Sequence, residues 1–240
     1  MQAEQRDARP PGSGSIENPT YWWYRARARL MEQVLAEYVR DTPLLIDVGS
    51  ADGPSVGWLA ERTRRIPIDI DPSGLRSGSV CASADVLPFG DASVDALAAF
   101  DVIEHFADEA AIVRELHRVL RPAGRLLVSV PAYRWAWSAF DVQAGHHRRY
   151  TRARIVRALR VNGFTVDRAT YAFAGTFPLF AADRLRSRLL RRRGERVRDS
   201  NLSPRAERAL LGLCRFDERV LRRANLPFGS SIFVAARKPG

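Results

Sequence analysis

A short apolar run that leads directly into a glycine-bearing turn is the feature that most restricts the fold of this chain. Residues 43–48 (PLLIDV) form a continuous apolar segment, which is typical of a strand buried on both faces of a parallel sheet. The turn that follows, residues 49–53, reads GSADG, and Pro54 suits the first turn of a helix. A strand, a glycine turn and a helix in this order bring backbone N–H groups close to a nucleotide-like ligand.

The rest of the chain alternates short apolar runs with segments whose apolar residues recur at helical spacing. This alternation predicts an α/β fold with a doubly wound, parallel sheet and right-handed crossovers. The predicted strands span residues 43–48, 65–70, 79–82, 95–101, 125–130, 164–173 and 230–237. The predicted helices span residues 20–40, 54–62, 108–120, 151–161, 179–193 and 204–224, so that a helical insertion precedes the last strand.

Length and composition indicate a single domain. At about 150 residues per domain, 240 residues fit one large domain with appendages. We expect a disordered leader at 1–18, a domain at 19–240 and a basic helical insertion at about 175–225 within it. Cys81 and Cys214 are far apart in sequence, and no signal peptide or long apolar run is found, so reduced thiols and a cytoplasmic location are expected.

Most of the net charge of +11 lies in one segment. Residues 184–223 contain 14 arginines against five acids, an excess of +9. Such a segment is compatible with a solvated helix face, with nucleic acid, or with an anionic membrane surface or phosphate-bearing substrate. Phe216 is the one aromatic residue among these arginines, which disfavours single-stranded nucleic acid, because stacking sites normally use several. The mixed apolar and basic residues 171–190 favour peripheral contact with a membrane.

Two acids follow consecutive predicted strands and indicate the kind of ligand. Asp47 ends the first strand, and Asp69 ends the second one 22 positions later, a spacing that puts a carboxylate beside a ribose. A dinucleotide site is disfavoured because Ala51 and Pro54 occupy its second and third glycine places. Carboxylates would also repel a pyrophosphate by about 1 kcal/mol or more per close pair. An adenosyl ligand with a cationic centre, S-adenosylmethionine (SAM), fits these acids better.

Residues 44–150 resemble the class I SAM-dependent methyltransferases. The sequence DVGSADG at 47–53 resembles the first motif of that family, with alanine in place of the middle glycine. Asp69, with Asp71 as a rival, matches the acid that ends the second strand, and Asp85 or Ser83 matches the third motif before LPF. The segments SVDALAAFDVIEHF and HRVLRPAGRLLVSVP resemble the fourth strand and the helix and strand that follow it.

The resemblance implies a Rossmann-like, seven-stranded and mostly parallel sheet with helices on both faces. It implies SAM as the cofactor and S-adenosylhomocysteine as its product. No metal is expected, because the adjacent His146 and His147 lack the spacing of metal ligands. The cofactor contacts that it implies are Asp47, Gly49, Ser50, Gly53, Asp69, Ile70, Asp85, Val86, Asp101 and Arg27.

The loop after the fifth predicted strand resembles that of a methyltransferase subgroup with the pattern D-x-x-x-G-H-x-R-R-Y, found here at 141–150. We predict His146 as a base or substrate orienter, and Asp141 and His105 as further catalytic candidates. The predicted substrate contacts are Trp22, Trp23, Tyr133, Arg148, Arg149 and Tyr150. Structural roles remain open: an Asp141–arginine ion pair that locks the loop, a His105 that supports the strand end, and core packing of the first helix.

The function that these features predict is methyl transfer from SAM, with O-methylation favoured, to a small acceptor that is hydrophobic or linked to lipid or phosphate. The alternative is a protein that binds or modifies nucleic acid on a SAM-binding fold. A regulator that binds SAM without catalysis is a third possibility.

Overall fold

A seven-stranded sheet organises the part of the chain that the computed structural model describes, residues 21–50, 53, 56–60, 63–72, 75–189 and 202–240. The strands are β1 Leu44–Val48, β2 Arg64–Asp69, β3 Val80–Cys81, β4 Val94–Phe100, β5 Leu120–Pro131, β6 Thr165–Ala172 and β7 Ser231–Arg237. Their order is β3-β2-β1-β4-β5-β7-β6. β7 runs antiparallel to both of its neighbours, and the other pairs are parallel. The predicted fold class is therefore confirmed.

The strand order places a ligand crevice near β1. From β1 the chain proceeds outward to β2 and β3, and then returns to the other side of β1 to add β4 and β5. In doubly wound sheets, ligands bind at this switch point, beyond the carboxyl ends of the strands. The turn after β1 and the segment after β4 are thus on the edge of the sheet where a site is expected.

Helices cover the sheet and fill the connection between its last two strands. They are α1 Trp22–Leu35, α2 Gly57–Ala60, α3 Glu109–Val119, α4 Ala139–Gln143, α5 Arg152–Val161, α6 Phe177–Leu189 and α7 Pro204–Leu221. The last two precede β7, as the sequence predicted. The predicted leader, Ala51, Asp52, Pro54 and residues 190–201 of the basic insertion lie outside the described residues.

The core consists of the central strands and the apolar faces of the helices that flank them. Leu45 of β1, Leu97 of β4 and Leu127 of β5 are fully buried. The side chain of Asp108 caps α3 by accepting hydrogen bonds from the N–H groups of Ala110 and Ala111. Among the described residues, no helix is both long enough and apolar enough to cross a membrane.

The predicted end of the first helix and the predicted start of the fifth strand each differ from the structure by five residues. The first helix ends as an α-helix at Leu35 and continues as a 3-10 turn over Ala36–Val39. The fifth strand begins at Leu120, where the sequence predicted the end of a helix stopped by Pro122. Leu120 pairs with Val94, but the pairing then shifts, and a bulge absorbs the proline.

Candidate functional site

The turn after β1 is fixed by its glycine and by two hydrogen bonds. The N–H groups of Gly49 and Ser50 both donate to the carbonyl of Ile68, at 2.7 and 3.0 Å. Gly49 has a φ of +69°, and a Cβ there would lie 2.5 Å from Cγ2 of Val102. Only glycine satisfies both constraints, so this position is held against β2 and against the segment after β4.

Left-handed backbone recurs where strands end at this edge. Gly49 follows β1, Asp101 follows β4, Tyr133 lies two residues after β5, and Phe173 follows β6, and all four have a positive φ. Three of them are not glycine, and such strain persists only where surrounding contacts enforce it, often at functional sites. The backbone therefore changes direction sharply after each of the four strands β1, β4, β5 and β6 at this edge.

Asp47 and Asp69 lie at adjacent strand ends, as predicted. Asp47 is buried in β1, with Oδ2 3.3 Å from the guanidinium of Arg65. Asp69 is the last residue of β2, and its Oδ1 accepts the N–H of Asp71 at 2.9 Å. Asp71 thus contacts Asp69 through its backbone N–H, and the choice of Asp69 over Asp71 as the ribose-binding acid stays a prediction.

Two exposed aliphatic side chains flank these acids. Ile70 follows β2 and is 71% exposed, and Val86, after β3, is 73% exposed. The N–H of Ala82 donates to the carbonyl of Asp69, which brings the segment after β3 alongside the end of β2. The exposed Asp85 accepts a hydrogen bond from the hydroxyl of Ser83. Gly53 is partly exposed.

Arg27 and Asp101 form an ion pair beneath the same edge. Nη2 of Arg27 lies 2.7 Å from Oδ2 of Asp101 and 3.0 Å from Oγ of Ser129, and the Arg27 side chain is only 1% exposed. The hydroxyl of Ser129 in turn donates to Oδ1 of Asp101 at 2.9 Å. Arg27 thus has partners within the chain, and its contact with the cofactor carboxylate stays a prediction.

His146 and Asp141 form a hydrogen-bonded pair in the loop after β5. Nδ1 of His146 lies 2.9 Å from Oδ1 of Asp141, which is completely buried. Asp141 also receives the N–H of Ser138 in a capping box at the start of α4, and Nε of Arg149 at 2.7 Å. Burial opposes ionisation, but hydrogen bonds from His146 and Arg149 hold the pKa of Asp141 well below its usual range. Asp141 is thus a fixed anion that orients the imidazole.

His105 and Glu104 meet His146 across the crevice. The rings of His105 and His146 pack edge to face, with centroids 4.7 Å apart. Glu104 is completely buried, and neither of its carboxylate oxygens has a hydrogen-bond partner in the described part of the chain. Burial, and secondarily the charge of Asp101, raises the pKa of Glu104 well above its usual value. Burial, followed by the proximity of His146, lowers the pKa of His105.

The structure shows the ion pair that the sequence left open as a loop-locking contact. Besides Asp141, the buried Arg149 binds the carbonyl of Ala132 at 3.2 Å. Arg148 donates to the carbonyls of Phe106 and Ala107. These contacts engage both guanidinium groups with the chain itself. These contacts position both side chains in the loop, and their role as anion contacts stays a prediction.

Aromatic residues form a cluster next to the ends of β5 and β6. The ring of Tyr133 lies between Trp135 and Tyr171, with centroid distances of 5.8 and 5.3 Å. Burial, together with a hydrogen bond to Tyr171, raises the pKa of Tyr133 to about 12. The members of this aromatic cluster are Tyr133, Trp135, Tyr171, Phe177, Phe180 and Phe228.

Three other predicted substrate contacts pack into the protein. Trp23 stacks on Phe173 at 5.7 Å, and both Trp22 and Trp23 pack against the hydrophobic core. Tyr150 is fully buried. The structure therefore contains the core packing that the sequence left open for the first helix, and substrate contact by these residues stays a prediction.

The sequence did not single out Glu104 or Arg184. Glu104 lies beside His105 in the DVIEH motif, which was the available signal, but its burial depends on the folded loop. Arg184 of α6 lies with its guanidinium carbon 5.1 Å from the ring centroid of Phe180, in the aromatic cluster. Burial, and next the charge of Arg149, lowers its pKa. In the sequence Arg184 was one arginine among many.

Comparison with known proteins shows that parts of this chain resemble methyltransferases. Residues 46–128, from β1 into β5, match the family profile of a methyltransferase domain. A probable SAM-dependent methyltransferase of Mycolicibacterium smegmatis is 31% identical over 169 residues, which are 64% of this chain and 63% of that protein. A probable SAM-dependent methyltransferase of Mycobacterium tuberculosis is 36% identical over 125 residues, 48% of this chain and 44% of that protein. The chain thus spans less than two thirds of the length of these relatives.

A solved structure agrees with the sheet topology. A SAM-dependent methyltransferase from Archaeoglobus fulgidus has a TM-score of 0.60 at 14% identity, over 94% of this chain and 98% of that one. The chain therefore has the Rossmann-like fold of the class I methyltransferases, and its matching segment resembles SAM-dependent members. These matches do not favour the nucleic-acid alternative. The loop subgroup, and the absence of a metal, stay predictions.

Proposed function

We propose that this chain is a SAM-dependent methyltransferase that acts on a small acceptor, hydrophobic or linked to lipid or phosphate, and that it methylates oxygen. The observation that carries this proposal is the row of carboxylates Asp69, Asp47 and Asp101, at the carboxyl ends of the neighbouring strands β2, β1 and β4. Asp47 is paired with Arg65 and Asp101 with Arg27, which reduces but does not cancel the attraction of the row for a sulfonium nucleoside and its repulsion of a diphosphate.

The adenosyl half of SAM fits the first three strand ends. In the proposal, Asp69 binds the ribose hydroxyls, and Asp85 lies at the adenine amino group. The exposed side chains of Ile70 and Val86 offer apolar surface to the adenine ring beside the strand ends. Gly49, Ser50 and Gly53 allow the backbone to approach the nucleoside closely.

The other end of the crevice provides the groups for transfer. Bound SAM supplies an electrophilic methyl group. The acceptor oxygen attacks the methyl carbon, the C–S bond breaks with its electron pair left on sulfur, and S-adenosylhomocysteine is the product. Nε2 of His146 accepts the hydroxyl proton, while Nδ1–H remains bonded to Asp141, whose charge stabilises the imidazolium. Positioning by the fixed loop supplies the remaining rate enhancement.

The aromatic cluster supports a hydrophobic acceptor. Trp135, at 40% exposure, and Phe228, at 44%, are open to solvent at its outer side. Arg184 supplies a cation at the same place, with Nε buried and without a hydrogen-bond partner in the described residues. An acceptor with an apolar body and a phosphate matches this pairing of surfaces.

Exposed leucines on α6 support delivery of the acceptor from a membrane surface. Leu179, Leu185 and Leu189 are each more than half exposed, and the helix also carries Arg186 and Arg188. An interfacial helix buries such residues among lipid headgroups. Flotation with anionic vesicles should therefore recover the protein, and the double variant L185E/L189E should stay behind. Recovery of neither protein would contradict membrane contact but not methyl transfer.

A direct test combines cofactor binding with turnover. We expect calorimetric titration of the full chain to show binding of SAM but not of NAD. We expect S-adenosylhomocysteine to form when octylphenol, or a prenyl phosphate in anionic vesicles, is added. Binding of NAD in place of SAM would overturn the cofactor assignment. Binding of SAM without product above the acceptor-free rate would support a SAM-binding regulator instead.

Variants at one strand end sharpen this test. Asp69→Asn should weaken SAM binding by on the order of 1–3 kcal/mol, because charge-assisted hydrogen bonds to the ribose are lost. Asp71→Asn is the matched control and should bind SAM almost normally, since Asp71 contacts Asp69 through its backbone N–H. The reverse result would move the ribose contact to Asp71.

A further inference from the structure

Three side chains that can bind a metal ion meet between two segments of the site. One potential ligand atom from each of Glu104, His105 and His146 lies within 4.8 Å of the others. Glu104 and His105 belong to the 3-10 turn Ile103–His105 after β4, whereas His146 follows α4. The backbone joins the two segments directly, because the N–H of His147 donates to the carbonyl of Glu104 at 2.7 Å.

The state of Glu104 is the second observation that indicates a ligand. Its side chain is completely buried, and both carboxylate oxygens lack a hydrogen-bond partner in the described part of the chain. Burial of an ionised carboxylate without compensation costs several kcal/mol, and proteins avoid this with a proton, a paired charge or a metal. A cation placed between Glu104 and the two imidazoles would compensate the buried charge of the Glu104 carboxylate.

His146 is already oriented as a metal-bound histidine would be. Its Nδ1 is engaged with Asp141, so the lone pair on Nε2 is the one that remains available. Histidine ligands almost always donate their second ring N–H to a carboxylate or carbonyl, and this outer contact fixes the tautomer and the ring. Asp141 is itself held by Arg149 and Ser138, so the orientation is rigid.

We propose that Glu104, His105 and His146 bind a divalent transition-metal ion, such as Zn²⁺, Fe²⁺ or Mn²⁺, with a coordination position left for the acceptor oxygen. Two imidazoles and one carboxylate suit these ions better than Mg²⁺ or Ca²⁺, which prefer oxygen ligands. Metal–ligand bonds of about 2.1 Å require the three ligand atoms to come closer by roughly an ångström. Because Asp141 holds His146, the side chains of Glu104 and His105 supply this movement.

The chemical consequence rests on the proposed methyltransferase function. A divalent cation lowers the pKa of a bound hydroxyl, as a protein-bound Zn²⁺ lowers that of bound water to about 7. In the metal-loaded site, Nε2 of His146 is a ligand, so the cation takes over activation of the acceptor. The hydroxyl proton would then leave to solvent, and the acceptor oxygen would attack the methyl carbon of SAM as its C–S bond breaks with the electron pair left on sulfur. The methyl acceptor and donor remain the same.

Binding of Co²⁺ tests the site without any acceptor. The full chain, stripped of metal and of any polyhistidine tag, is titrated with Co²⁺ while visible absorption is recorded, and Zn²⁺ binding is measured by equilibrium dialysis. We expect one ion per chain, with visible bands of a low-symmetry, nitrogen-containing site. Glu104→Gln, His105→Ala and His146→Ala should each weaken binding by at least tenfold.

His147→Ala is the matched control, because this exposed imidazole neighbours His146 but lies outside the cluster. It should bind Co²⁺ like the unaltered chain. Asp141→Asn should weaken binding by about 10- to 100-fold through loss of the outer contact. Thermal melting of each variant confirms folding, and SAM titration monitors the neighbouring site separately.

The outcomes separate the metal site from the methyltransferase proposal. Failure of the unaltered chain to bind Co²⁺ or Zn²⁺ while it binds SAM would overturn the metal site and leave methyl transfer standing. Equal binding by Glu104→Gln and His147→Ala would also overturn it, since isolated surface histidines would then explain the affinity. Metal binding that depends on Glu104, in a chain that does not bind SAM, would keep the metal site and overturn the proposed function.

Discussion

The buried guanidinium of Arg27 lies 2.7 Å from the carboxylate of Asp101 and thereby connects α1 to the residue that follows β4. Asp101 has a φ of 56°, in the left-handed region, so contacts must hold this residue in place. Ser129 of β5 binds both side chains. One ion pair therefore joins the first helix and two central strands beneath the proposed methyl-transfer position.

Loss of the Asp101 carboxylate should destabilise the fold. Asp101→Ala leaves the charge of Arg27 buried without this partner, which we expect to lower the free energy of unfolding by about 3 kcal/mol. Urea denaturation measures the change. Asp85→Ala, at an exposed carboxylate, is the control and should stay within about 0.5 kcal/mol of the unaltered chain. Equal stability of the two variants would show that Arg27 does not depend on Asp101.

Removal of the His146 imidazole should reduce turnover but leave the affinity for SAM unchanged. We expect His146→Ala to lower kcat by about 10²- to 10⁴-fold, the usual contribution of an acid–base group, because no general base then accepts the proton of the acceptor hydroxyl. The SAM dissociation constant should change little, since His146 is not among the adenosyl contacts. Product formation and calorimetry measure the two effects. Normal turnover would leave His146 as a packing residue of the loop.

Local sequence signals predicted the sheet and the positions of Gly49 and Asp69 at the ends of its strands. Apolar runs such as 43–48 identified the buried strands, and the glycine turn and Asp69 lie at the ends of β1 and β2, as the sequence predicted. The start of β5 was missed because Pro122 and Gly124 are typical of the end of a helix. In the structure they lie within β5, at an irregularity in its pairing with β4. Tertiary pairing overrode the local preference there.

The sequence named His146, Asp141 and His105 as catalytic candidates, but it could not show that Glu104 joins them. Glu104 and His146 are 42 positions apart, and only the folded chain brings their side chains together. His105, a predicted catalytic candidate that packs against His146, comes from the turn after β4, and no sequence pattern indicated that contact. The partners of Arg148 likewise are backbone carbonyls, which no sequence pattern records.

Gly49→Ala should damage both the turn and its contact. The new Cβ would lie 2.5 Å from Cγ2 of Val102, and the φ of +69° adds strain of about 1–2 kcal/mol for any other residue. We expect a total loss of stability of about 2–5 kcal/mol, together with weaker SAM binding. The double variant G49A/V102A removes the clash but not the backbone strain, so it should recover part of the stability. Full recovery would show that φ imposes no constraint.

Asp217 should make stability depend on pH. It is completely buried on α7, its Oδ1 accepts the N–H of Gly175 at 3.0 Å, and burial raises its pKa. A carboxyl group whose pKa is higher in the folded chain than in the unfolded one contributes full stability below the unfolded pKa, and loses it as pH rises through the folded pKa. At neutral pH the ionised group therefore weakens the attachment of α7.

Asp217→Asn should consequently be more stable than the unaltered chain at pH 7.5. The amide keeps an acceptor for Gly175 and never ionises, so we expect a gain on the order of 1 kcal/mol, or about 2–4 °C in Tm. The gain should shrink as pH falls through the folded pKa and be lost below about 4, the unfolded pKa, where the original carboxyl is neutral in both states. Glu218→Gln, at the neighbouring and partly exposed position, should show a smaller change with pH. Calorimetric scans of the three proteins across this range measure the effect, and a lower Tm for Asp217→Asn at pH 7.5 would mean that the negative charge itself stabilises the helix.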